Sequence, residues 1–60
     1  MQATYVLYLI ETIDGRTRRI RELERFDDAA VAWRKHDTLL SAGVDVDVDV
    51  EIKILLSEIL

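Results

Sequence analysis

The sixty residues predict an α+β domain of ββαβ order, a three-stranded antiparallel sheet of spatial order 2-1-3 with one helix packed on one face. Three observations predict it. Residues 3–12, ATYVLYLIET, are rich in aromatic and β-branched side chains and are followed by the turn pair Asp14-Gly15. Residues 27–43 carry apolar side chains at helical spacing between a capping aspartate and a glycine. Residues 44–54, VDVDVDVEIKI, alternate apolar and charged side chains without a break.

The first strand has Tyr5, Leu7 and Leu9 on one face and Val6, Tyr8 and Ile10 on the other. An apolar pattern on both faces is that of a central strand covered on both sides. Asp-Gly between two strand-forming runs signals a hairpin, with either a two-residue turn or a three-residue loop and a bulge. The second strand, residues 16–23, is mostly polar and suits a sheet edge.

The helix is expected to start at Asp27 as N-cap, with Phe26 and Val31 forming a hydrophobic staple and Asp28 adding negative charge to the first turn. Gly43 is the expected C′ residue. On a wheel of ~3.6 residues per turn, Ala29, Ala32, Trp33, His36, Leu39 and Leu40 share the face that packs on the sheet. In the third strand, a period of two directs Val44, Val46, Val48, Val50, Ile52 and Ile54 toward the helix and the charged residues toward water. A right-handed crossover through the helix carries this strand to the far side of the first. The closing LLSEIL breaks the alternation and is expected to extend the strand or form a short amphipathic turn.

Sixty residues make one small domain, 1–60, with no linker or repeat other than the Val-Asp alternation. Folding hides only about 60% of the surface of so short a chain, and without cysteine there is no disulfide to supplement the core. One helix leaves the second apolar face of the first strand uncovered, so self-association is the expected remedy. A homodimer built through Tyr5, Leu7, Tyr8 and Leu9 is the form this takes. The longest apolar run, residues 5–10, is far short of the ~20 residues that span a bilayer, and no basic leader precedes it. A cytoplasmic protein is therefore expected.

Charge is distributed unevenly. The net −4 comprises −2 in residues 1–15, +3 in 16–25 (five Arg, two Glu), −1 in 26–43 and −4 in 44–60. The acidic row Asp45, Asp47, Asp49 and Glu51 begins like a calcium loop, but such a loop requires glycine where Val50 stands and glutamate where Leu56 stands. Carboxylates two residues apart on a strand also lie about 6.8 Å from one another along a line, which does not converge on one ion. No metal or other cofactor is expected.

His36 is the one candidate general base, set on the apolar helix face, with Asp37 projecting about 100° away around the helix. There is no cysteine nucleophile and no phosphate-cradling glycine loop, so an enzyme is not expected and no residue is assigned as catalytic. Arg16, Arg18, Arg19 and Arg21 form a basic hairpin that a nucleic-acid binder could use. Overall acidity opposes direct nucleic-acid binding, and Glu11 and the acidic strand offer these arginines partners within the sheet.

The acidic row is either the solvated face of the strand, its charges opposing edge-to-edge aggregation, or a binding surface. Aspartate is disfavoured in strands, and Thr or Lys would keep the face wet at lower cost. The row therefore suggests a surface for a basic protein partner, one that itself binds nucleic acid and whose site the carboxylates mask by imitating a phosphate backbone. A small inhibitor of phage or plasmid type, anti-CRISPR or antirepressor in style, works in this way. A nucleic-acid binder acting through the arginine hairpin, or a structural assembly subunit, are the competing readings.

Overall fold

The structure is a computed structural model and describes residues 2–54. Its elements are β1 (Gln2–Ile13), β2 (Arg16–Phe26), α1 (Ala29–Ser41) and β3 (Val46–Lys53). The sheet order is β2-β1-β3 with both pairs antiparallel, which is the ββαβ arrangement expected from the sequence. Residues 55–60, expected to extend the strand or turn, lie outside the described residues.

Asp14 and Gly15 both have positive φ, 54° and 76°, and join Ile13 directly to Arg16. Positive φ at both central positions is the two-residue type I′ turn, whose twist matches that of the flanking strands. This decides between the two turns open in the sequence. Bulges do occur, but farther along the hairpin: the β2 partner skips from Glu24 to Glu22 between Leu7 and Tyr8, and from Arg21 to Arg19 between Leu9 and Ile10. Leu23 and Ile20 are thus left without a partner. Each bulge turns the later β2 side chains over relative to a plain alternation and increases the local twist.

The helix begins one residue later than the sequence suggests. Asp28, with extended backbone at φ −120° and ψ 121°, is the N-cap, and its Oδ1 accepts from the N–H groups of Ala30 at 2.8 Å and Val31 at 3.3 Å. Either aspartate has the right chemistry, but Asp28 places its carboxylate over two otherwise unpaired amides. The expected staple between Phe26 and Val31 is accordingly out of phase. At the other end Gly43 is C′ as expected, with φ 85°. The Gly43 N–H donates to the Leu40 carbonyl and the Val44 N–H to the Leu39 carbonyl, each at 3.0 Å, which together form the Schellman motif.

The helix packs on the face carrying Tyr5, Leu7 and Leu9, to which Val46, Val48 and Val50 are directly opposite. Leu7, Val46 and Ala32 are buried there. Coverage is incomplete for a geometric reason. Thirteen helical residues extend about 20 Å, whereas twelve strand residues extend about 40 Å. Val50, Ile52 and Ile54, expected against the helix, are therefore largely exposed, as are Ile13 and Ile20 toward the hairpin tip. On the helix, Ala29, His36 and Leu39 are half-buried around Ala32, but Trp33 and Leu40 are exposed at the flank. The molecule measures 46 × 24 × 14 Å, and its radius of gyration of 13.9 Å exceeds the roughly 10 Å of a compact chain of this length.

The opposite face of the sheet is not open in the expected way. Val6 is 0% exposed, and Tyr8 and Ile10 are half-buried although none of the described residues forms a helix over them. Charged side chains provide the cover.

Candidate interaction surface

By register, the helix-free face carries Val6, Tyr8 and Ile10 along its centre, with Arg25, Glu22 and Arg19 opposite them on β2 and Asp49, Asp47 and Asp45 on β3. Glu51 and Lys53 continue the β3 row opposite Thr4 and Gln2. The long arginines reach over β1 to the acidic strand. Arg25 Nη1 donates to Glu51 Oε2 at 2.9 Å, and Arg19 Nη1 to Asp49 Oδ2 at 3.0 Å, with Asp47 3.7 Å from the same guanidinium. Both links follow the same diagonal, as the twist of the sheet dictates. Because β1 lies between the strands they join, they close over Val6. The Arg19 guanidinium also stacks 4.6 Å from the centroid of the Tyr8 ring.

Arg25 further donates to Glu22 at 2.8 Å. Glu22, and secondly Glu51, hold its guanidinium protonated even more firmly than an ordinary arginine. These pairs are solvent-exposed, so each contributes modestly to stability. Their larger effect is to set which carboxylates remain available. Among the described residues, five carboxylates (Asp45, Asp47, Asp49, Glu51, Glu22) face three cations (Arg19, Arg25, Lys53), so this part of the face is net negative by two. Asp49 and Glu51 are engaged at hydrogen-bond distance, Asp47 at longer range, and Asp45 in no ion pair among the described residues. The least compensated acid is thus Asp45, followed by Asp47, which shares Arg19 with Asp49 at the longer distance.

The β3 carboxylates have a second role that sequence reading missed. The Ile10 N–H donates to the Asp45 carbonyl at 3.1 Å. In an antiparallel ladder this phase directs the backbone groups of Asp45, Asp47, Asp49 and Glu51 toward β1, and those of Val46, Val48, Val50 and Ile52 toward the open edge. Asp47 Oδ1 accepts from the Val48 N–H at 2.9 Å and Asp49 Oδ1 from the Val50 N–H at 3.0 Å. Two edge amides are thereby covered by the side chain preceding each. The signal was present in the preference for aspartate, whose carboxylate is short enough to fold back on the next amide.

The four hairpin arginines do not form one cluster. Register places Arg16, Arg18 and Arg21 on the helix side of the sheet, opposite Ile13, Glu11 and Leu9, while Arg19 lies on the other face. Arg18 Nε donates to Glu11 at 2.6 Å. Arg16 and Arg18 line a shallow concavity of about 760 Å³ at the hairpin tip together with Glu11 and Asp14. Nor do the residues expected at a dimer interface form a patch: Leu7 is fully buried within the chain, Tyr5 and Leu9 share its face half-buried, and Tyr8 lies on the other face under Arg19.

His36 and Asp37 do meet, contrary to the expectation from the helical wheel: Nδ1 lies 3.0 Å from Oδ1. Adjacent side chains that diverge at Cβ converge again through their rotamers. The imidazole is half-buried with its edge or face against Trp33, centroids 4.9 Å apart at 71°, and it lines neither of the concavities at the hairpin tip and beside β2. No group of three or more acidic or histidine side chains converges as a metal site among the described residues, and none of their helices is long and apolar enough to cross a membrane.

The chain matches no family model, and no curated protein or solved structure resembles it at a significant level.

Proposed function

We propose that this protein is a non-catalytic interaction module, acting in the cytoplasm, whose helix-free sheet face covers a basic surface on another protein. The supporting observation is an excess of carboxylate on a face that Arg19 and Arg25 close without help from another chain, with Asp45 in no ion pair among the described residues and Asp47 held only at 3.7 Å. Such a face presents ordered carboxylates instead of a hydrophobic patch, which favours a partner that supplies Lys or Arg. A nucleic-acid-binding protein is a natural partner, since its own site is basic, and an inhibitor that masks that site fits the size and charge of this chain. Direct nucleic-acid binding through the hairpin has less support, because its arginines are divided between faces and two of the four are paired.

The test uses D45N/D47N, which removes charge while the side-chain amide introduced in place of Asp47 keeps an acceptor for the Val48 N–H and Asp49 keeps Arg19. Wild type and variant are used as bait in host lysate, and the captured partner is then titrated across a salt series and against an oligonucleotide. The partner should be basic, compete with the oligonucleotide, and bind the variant at least about tenfold more weakly at low salt, with the difference shrinking as salt rises. Equal affinity of both proteins at every ionic strength rejects the acidic-face reading.

A further inference from the structure

The outer edge of β3 combines three features. Its outward backbone groups, those of Val46, Val48, Val50 and Ile52, have no neighbouring strand among the described residues. On the helix-free side it is bordered by carboxylates, two of which cover the Val48 and Val50 amides. On the helix side Val50 and Ile52 are exposed beyond the end of the helix, and Trp33 and Leu40 project from the helix flank turned away from β2. That flank is identified by its opposite: Val31, Arg34, Lys35 and Thr38 line a concavity with Glu24 and Phe26 of β2.

From these features we propose that the β3 edge is a docking site for an extended segment of a partner protein in which basic and apolar residues alternate, added to the sheet as a fourth strand beside β3. Side chains of an added strand point alternately to the two faces. Lysines or arginines would meet the acidic row, and the residues between them would cover Val50, Ile52 and the Trp33 flank.

The aspartate caps make the edge selective. A neutral strand must displace them without offering the carboxylates anything in return, whereas a cation takes the carboxylate as the strand carbonyl takes the freed amide. A second copy of β3 is the wrong chemistry, because antiparallel pairing about Asp49 sets Asp47 opposite Glu51 across the seam. This inference rests on the acidic-face reading and specifies how the partner is held.

The probe is a synthetic peptide of alternating lysine and valine, titrated into the full chain at low salt, with a peptide of the same composition but segregated blocks as control. Two further peptides are N-methylated, one on every lysine amide and one on every valine amide. Only one of these sets of amides faces β3, so one methylated peptide should lose at least about tenfold in affinity while the other binds like the parent, the effect of losing one or two net hydrogen bonds. Val50→Pro supplies the complementary variant. It removes only an outward amide and leaves the ladder to β1, so it should abolish the preference for the alternating peptide over the segregated one. Circular dichroism confirms that the variant folds, and the two methylated peptides provide the answer should it not. If all peptides bind alike, strand addition is overturned while the acidic-face reading stands. If no basic peptide binds even at low salt, both are overturned.

Discussion

Arg19 shows how much one side chain can organise here. Its planar guanidinium lies over Tyr8 while its nitrogens reach Asp49 and Asp47, so it both covers the ring and ties β2 to β3 over the central strand. Lysine carries the same charge but neither the plane nor the fork of donors. Arg19→Ala is expected to lower stability by about 1 kcal/mol, the combined scale of an exposed cation–π contact and a surface ion pair. Arg19→Lys should recover only part of that loss. Urea titration followed by circular dichroism measures both, and an alanine variant as stable as wild type would show that the canopy over Tyr8 is unimportant. At the helix start, Asp28→Ala should cost about 1 kcal/mol because two amides lose their acceptor, while Asp27→Ala should leave the urea midpoint nearly unchanged.

The element with the most unusual composition is β3, and its aspartates answer two demands that threonine does not meet together. They keep an apolar edge strand charged, and they cover its outward amides. Unprotected edges of this kind pair with one another. The double variant D47A/D49A should therefore self-associate as concentration rises in sedimentation velocity. D47N/D49N, equally neutral but still able to accept from Val48 and Val50, should do so much less. Equal association of the two would mean that charge alone protects the edge and the caps are incidental.

At the scale of the whole molecule, the limiting feature is the size of the core. Among the described residues Val6, Leu7, Ala32 and Val46 are the buried hydrophobic side chains, in a body only 14 Å in its shortest dimension. A domain of this size without disulfides has only a few kcal/mol in reserve. Truncating Leu7 to alanine removes about 2–5 kcal/mol, enough to unfold most of the population at room temperature, and loss of far-ultraviolet dichroism without denaturant is the expected result. Val50→Ala, on the exposed part of the same face, should cost well under 1 kcal/mol. A partner that binds only the folded form would raise the urea midpoint by mass action, so thermal or chemical stabilisation gives an independent readout of partner binding.

The number, kind and order of the elements follow from the sequence alone, because they depend on local chemistry: the Asp14-Gly15 turn, the helical spacing from Ala29 to Leu40 ending at Gly43, and the period of two from Val46 to Lys53. Even the sheet order is legible, since only β1 is apolar on both faces. What alternation cannot reveal is the phase of a bulged strand. Two unpaired residues, Ile20 and Leu23, determine which arginines share a face with the acidic row, and bulges depend on how the whole hairpin twists against its neighbours. Likewise, the sequence already offered the acidic strand as a partner for the hairpin arginines, but only the tertiary arrangement decided that Arg19 and Arg25 are the ones that reach over β1, to Asp49 and Glu51. The second apolar face of β1 is covered for that reason, and the exposed hydrophobic side chains of the sheet lie instead where a 20 Å helix ends on a 40 Å sheet, at lengths set by ~1.5 Å and ~3.4 Å of rise per residue.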